Sequence, residues 1–286
     1  MILHYGDITV TDRCVESILH MKRAKDTRIV LVDNDARLSD EERDVLAGRY
    51  EEYPNVTVIR CPAGIGFSRA NNIGYEYART QLGADCIVVC NNDIEFIQTD
   101  FIERLEASVS RMGCHVLGPA VLRRSSHEPQ NPMDTQLRTQ EEARRTVWMN
   151  RVALAVFPIA YPLLCIQEKN AKRRSLQEKK RNIAFYKQSH RHIIPFGACL
   201  IFTPEFVARE ERAFEPETQF YYEEYILADR CFRKGYETGY DPSMRVIHET
   251  GSATEQSVRS NPEKMKNLMK RTADACEVYY KKAFSD

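Results

Sequence analysis

The run Cys86-Ile87-Val88-Val89-Cys90 constrains the fold more than any other feature of the chain. Five consecutive apolar residues bounded by Asp85 and by Asn91-Asn92-Asp93 are too short for a buried helix. They lack the alternation of a half-exposed strand, so they read as a central parallel strand buried on both faces. Further short strands are expected at Ile2–Tyr5, Arg28–Val32 and Val56–Ile59. Helix-like stretches separate them. Thr11–Leu19 carries apolar residues at 14, 15, 18 and 19, with Thr11 beside Asp12 as its cap, and Ser39–Tyr50 and Ser68–Leu82 follow. Strands alternating with helices predict an α/β fold built on parallel crossovers. Ligands of such sheets bind beyond the carboxyl ends of the strands. Three of those ends are polar: Tyr5, Asp33 with Asn34, and Asn91-Asn92-Asp93.

The rest of the chain is less regular. Residues 125–140 are polar, contain Pro129 and Pro132, and read as a mobile loop. From Trp148 to Cys165 the sequence is rich in apolar residues, broken by Pro158 and Pro162. Nine cations between Lys169 and Arg191 then face only Glu168 and Glu178. Strand-like character resumes at Ile193–Phe202, and a charged helix is expected from Pro262. Over the whole chain 41 Lys and Arg balance 41 Asp and Glu, so no global field favours a nucleic-acid partner. Nine scattered cysteines without CxxC pairs read as free thiols of a reducing cytoplasm. The chain runs from Met1 straight into a strand, so no signal peptide is expected, and no apolar run is long enough to span a bilayer.

Four constellations carry chemistry. Asn91-Asn92-Asp93 places a carboxylate at the ligand edge of the sheet, where a hard divalent cation shared with a diphosphate would suit it; an Asn-Asp turn reads the same way. Gly64-Ile-Gly66-Phe-Ser-Arg-Ala-Asn71-Asn-Ile-Gly74 opens a helix whose first N–H groups suit a phosphate, yet it is neither a dinucleotide fingerprint nor a P-loop. Glu223-Glu224, after Phe220-Tyr-Tyr, offers a general base or simply a favourable first helical turn. His248 ends the run Arg245-Val-Ile as a metal ligand or as a structural histidine.

The order of these motifs resembles the family 2 glycosyltransferases of the GT-A fold, of the rhamnosyltransferase-like and bacterial polysaccharide-assembly type. The likeness covers roughly 1–122 and 193–255. It rests on Val-Asp33-Asn, Gly66-Phe-Ser-Arg-Ala-Asn71-Asn-Ile-Gly74, Asn91-Asn-Asp93, the acidic pair before Leu227-x-x-Arg230, and His248-x-x-Gly-Ser252. The resemblance implies one GT-A domain over 1–286 with a mixed α/β sheet. Within it, 1–122 would hold the nucleotide-sugar, 125–192 would be a helical insert, 193–255 the acceptor and catalytic half, and 256–286 a C-terminal helix. It implies donor binding by Tyr5, Asp33, Gly66, Asn71, Asn92 and Asp93, with Mn²⁺ or Mg²⁺ on Asp93 and His248. Glu224 stands where many relatives carry Asp, so Glu224 is the implied base and Glu223 its substitute. Asn91 and Asn92 replace the acids of stricter DxD motifs.

The activity so implied is an inverting hexosyl transfer from a UDP- or dTDP-sugar to a hydroxyl of a glycan or lipid-linked saccharide. Two other readings stay open: a nucleotidyltransferase, which lacks an early Gly-rich signature here, and an inactive sugar-nucleotide-binding or scaffold homologue. The insert, at 144–192, suits peripheral contact with the inner face of a membrane. It equally suits a hairpin packed on the core or in a homo-oligomer.

Overall fold

A computed structural model describes residues 1–62, 64–218, 220–249 and 261–285. The motif residues Thr250, Gly251 and Ser252 lie outside these. The first half forms β1 (Ile2–His4), α1 (Ile8–Leu19), β2 (Ile29–Asp33), α2 (Asp40–Gly48), β3 (Val56–Arg60), α3 (Phe67–Thr80), β4 (Ile87–Asn91), β5 (Ile94–Phe96), α4 (Phe101–Met112) and β6 (Val116–Arg123). The second half adds α5 (Gln140–Ala155), α6 (Phe157–Arg181), β7 (His190–Arg191), β8 (Cys199–Phe202), α7 (Pro204–Arg209), α8 (Glu223–Arg233), β9 (Thr238–His248) and α9 (Pro262–Phe284).

Among the described residues one sheet runs in the order β3-β2-β1-β4-β8-β6-β9-β5, with β7 also on β9. Strands β1 to β4 are mutually parallel where they pair, but β8 joins β4 and β6 antiparallel. The expectation of a central parallel strand at 86–90 is therefore half corrected: β4 is parallel to β1 and antiparallel to β8. Burial on both faces sets the apolar run and is indifferent to the neighbour's direction. The first half of β9 pairs with β7 and its second half with β5, which brings His248 beside Ile94. Apolar layers fill both faces of the sheet, one around Ile2, Leu31 and Phe101, the other around Val32, Tyr75 and Phe202.

Local capping agrees with most of the expected helices. Ser39 with Glu42, and Thr139 with Glu142, form reciprocal capping boxes at α2 and α5. Thr11 is not a cap: Asp7 accepts from the Thr9 N–H and starts α1 one turn earlier, while Thr11 is buried. Residues 125–140 are not a loose loop either. Pro129 bridges to Leu122 and Asp134 to Ile194, and Asn131 is wholly buried. The nine cysteines are free, seven of them buried. No helix among the described residues is long and apolar enough to cross a membrane.

Candidate active site

The turn that joins β4 to β5 carries Asn92 and Asp93, and β9 delivers His248 to the same point. Asp93 Oδ1 lies 3.2 Å from His248 Nε2. That oxygen is buried and receives no hydrogen bond; the imidazole nitrogen is close, but not aligned as a donor. On its far side His248 Nδ1 meets Gln130 Oε1 at 2.9 Å. An amide oxygen can only accept, so Nδ1 donates to it, and in the neutral ring the Nε2 lone pair is the one turned toward Asp93. Two residues 155 apart in sequence thus present an oxygen and a nitrogen side by side, a donor pair that a divalent transition metal can use. The orphaned oxygen, the free lone pair and the amide that fixes the tautomer all fit such an ion. No cluster of three His, Cys, Asp or Glu side chains forms among the described residues. A metal here would complete its shell with a ligand's phosphates and water.

The acidic pair opens α8. Tyr221 and Tyr222 precede it with φ of 72° and 61°, a left-handed conformation that non-glycine residues adopt at a cost. Glu224 is buried and its Oε1 accepts the Gly197 N–H at 3.2 Å. Burial raises the Glu224 carboxyl, although that bond and its own backbone oppose the rise. Glu223 is half-buried, with one carboxyl oxygen unpartnered. Burial first, and the adjacent Glu224 second, push it well above the usual carboxylate range. The segment 196–198 ties the acids to the Asp93–His248 pair. The Phe196 ring lies 5.7 Å from the His248 ring, and the Ala198 carbonyl accepts from the Asn91 N–H at 3.0 Å. Asn131 steadies it, accepting the Phe196 N–H at 3.0 Å and donating to the Pro119 carbonyl.

At the ends of β1 and β2 the polar groups are tightly engaged. Asp33 is fully buried, 3.2 Å from the guanidinium of buried Arg43, with Oδ2 lacking a hydrogen bond of good geometry. His4 is its neighbour in the strand register. His4 bonds through Nδ1 to Thr11, leaves Nε2 unpartnered, and is held below the ordinary histidine range by burial. Tyr5 is 52% exposed, and the Arg37 guanidinium lies over its ring at 4.4 Å. Burial alone would raise Asp35, but hydrogen bonds from Arg37 and from the Gly6 N–H hold it at about 2.

Other motif residues are bonded within the fold. Asn92 donates to the Tyr5 carbonyl and to Thr11 Oγ1, locking the β4–β5 turn to β1 and α1. Gly66, at φ 95°, caps α3, and Asn71 lies on the buried face of that helix, bonded to the Phe67 carbonyl. Asn72 pairs reciprocally with the Phe214 backbone, and Arg69 donates to Pro216. Arg230 grips the same stretch through Glu215 and the Ala213 carbonyl. The Gly66–Gly74 motif and Arg230 therefore converge on residues 213–218, which lead into the acidic pair. Gln130 and Asn131, which support the site, carry no signal in the sequence beyond their polarity.

A curled mixed sheet with its polar strand ends gathered at one edge, flanked by helices, is the GT-A architecture of the nucleotide-diphospho-sugar transferases. The chain belongs to glycosyl transferase family 2, whose model matches residues 2–190. Among solved structures it resembles GalNAc-T7, crystallised with UDP, GalNAc and Mn²⁺, at TM-score 0.58 and 14% identity over 87% of this chain and 43% of that one. It also resembles S. aureus TarS 1–349, at TM-score 0.52 and 10% identity over 87% of this chain and 59% of that one. The chain thus spans less than two thirds of the solved chains it matches. No curated protein matches it in sequence.

Proposed function

We propose that this glycosyltransferase moves a hexose, with inversion, from a UDP- or dTDP-sugar to a hydroxyl of a glycan or lipid-linked saccharide in cell-surface polysaccharide synthesis. The observation that carries the reading is the Asp93–His248 pair, 3.2 Å apart with its imidazole tautomer set by Gln130. Asp93 and His248 would hold Mn²⁺ or Mg²⁺, which when bound supplies Lewis-acid stabilisation of a diphosphate leaving group. Asp33 Oδ2 and His4 Nε2 lie in register and lack hydrogen bonds; with the proton on His4 Nε2 they would complement the N–H and adjacent carbonyl of uracil or thymine. Tyr5 offers a ring face at the same strand end.

Glu224 is the base in this reading. A carboxylate takes the proton of the acceptor hydroxyl as that oxygen attacks the anomeric carbon, and the Gly197 N–H fixes which oxygen faces away. Glu223, whose free oxygen is unpartnered, is its substitute. One direct displacement inverts the sugar and needs no covalent intermediate. Gly66, Asn71 and Asn92 enter as residues that shape the donor edge.

Thermal unfolding with UDP and dTDP, with and without Mn²⁺, tests the site in wild type and Asp93→Ala. A ligand that binds only the folded state raises the midpoint by mass action. The expected result is a metal-dependent rise in wild type that Asp93→Ala loses. Absence of any shift with either nucleotide would leave the inactive scaffold reading in its place.

A further inference from the structure

The strongest unexplained surface is the hairpin of α5 and α6. Its inner face is accounted for: Ala143 and Val147 of α5 pack with Tyr225 and Ile226 of α8 and with Cys276 and Tyr279 of α9. The outer face is not. On α5, Arg144, Arg145, Trp148, Met149 and Val152, with the C-cap Val156, are all exposed and fall on one side at helical spacing. On α6, Ile159, Leu163 and Ile166 repeat at the same spacing and are all exposed, Ile159 at 85%. That line continues through Arg173, Arg174 and Arg181, also exposed. More than half of the exposed large apolar side chains among the described residues stand on this hairpin.

Charge identifies the occupant. From 144 to 181 the sequence has ten Lys or Arg against two Glu, in a chain whose total is balanced. Arg144, Arg145, Arg173, Arg174 and Arg181 have no ion-pair or hydrogen-bond partner among the described residues. A protein partner of matching shape would meet the apolar stripe with apolar groups and the arginines with carboxylates at fixed points. A bilayer meets both over a broad area: side chains such as Trp, Ile and Leu enter the acyl boundary while arginines reach lipid phosphates.

We infer that the outer face of the α5–α6 hairpin docks on an anionic lipid surface. This uses no residue of the candidate active site and holds or fails independently of the transferase reading. The hairpin is nevertheless tied to that site. Lys179 of α6 donates to the Pro129 carbonyl at 2.8 Å, and the next residue, Gln130, orients His248. Docking there would place the acceptor edge close to a membrane.

Trp148 is the only tryptophan of the chain and lies on the proposed face, so it reports the event directly. The full chain is mixed with phosphatidylcholine vesicles with and without phosphatidylglycerol, and Trp148 emission and cosedimentation are followed. Expected are a blue shift with the anionic vesicles, quenching by brominated acyl chains, and weakening with salt. Ile159→Glu with Leu163→Glu, and separately Arg173→Gln with Arg174→Gln and Arg181→Gln, should each lower vesicle binding at least about tenfold, since both terms contribute to such docking. Because all five positions are exposed, far-ultraviolet dichroism should remain that of the wild type. Unchanged Trp148 emission with anionic vesicles overturns the proposal. So does a shift that follows protein concentration without vesicles, which would assign the face to a second copy of the chain.

Discussion

Gln130 Oε1 stands 2.9 Å from His248 Nδ1, and on the other side of the ring His248 Nε2 stands 3.2 Å from Asp93 Oδ1. The amide therefore decides which imidazole nitrogen is available to a cation. Gln130→Leu removes that bond while keeping an unbranched Cβ and similar bulk. Losing a partner of this kind lowers metal affinity roughly 10- to 100-fold. Mn²⁺ titration followed by electron paramagnetic resonance should show that loss in the presence of UDP. Gln130→Glu, which restores an acceptor, should recover most of the affinity.

Glu223 yields a stability prediction with a definite sign. Its folded-state pKa is raised by burial and by Glu224, so the folded protein holds that proton more tightly than the unfolded chain does. The group favours folding fully below the ordinary glutamate pKa, about 4.3, and that contribution is lost as pH rises through the raised folded value. Glu223→Gln stays neutral at every pH. Its unfolding midpoint should exceed that of the wild type at neutral pH, and the difference should vanish below about pH 4. A midpoint difference that is constant across this range would show that Glu223 ionises normally in the folded protein.

Glu224→Gln separates binding from chemistry. The amide oxygen can still accept the Gly197 N–H, so the first turn of α8 keeps its anchor. Loss of a general base costs roughly 10²- to 10⁴-fold in turnover, and the nucleotide-dependent rise in unfolding temperature should survive. In the wild type the acid limb of the rate profile should lie above the ordinary glutamate range, because burial raises this carboxyl. A variant with wild-type turnover would move the role to Glu223.

The parallel half of the sheet was legible because its strands are short apolar runs with polar stops, and Asp33, Asp93 and His248 do sit at such stops. The direction of β8 was not legible, since a strand buried on both faces reads the same beside either kind of neighbour. Residues 125–140 misled for a different reason. Pro129, Pro132 and a run of polar residues carry no periodicity, yet Gln130 and Asn131 are held by bonds to His248, Pro119 and Phe196. These order a loop through tertiary contacts that leave no local pattern. Thr11 resembles a cap in the sequence because the apolar spacing starts at Cys14. The helix begins at Ile8, a turn earlier, where exposed and half-buried residues hide the periodicity.

Gly197 and Glu224 give the most discriminating test of the site. A Cβ added at Gly197 would stand 2.7 Å from Glu224 Oε1 and 3.1 Å from its carboxyl carbon. Contacts that close force one partner to move, and overpacking a buried spot costs typically 1–3 kcal/mol. The neighbouring strand β8 is fixed by its ladder with β4, so the carboxylate is the group that yields. Gly197→Ala should therefore lower turnover while the metal-dependent nucleotide shift persists. Glu224→Asp draws the carboxyl back by one methylene, at a length the resemblance to other family 2 enzymes favours. The double variant Gly197→Ala with Glu224→Asp should recover activity relative to Gly197→Ala alone, measured as kcat with saturating donor and acceptor. If instead the two losses simply multiply, the residues act independently, and the 3.2 Å bond between Gly197 and Glu224 does not position the base.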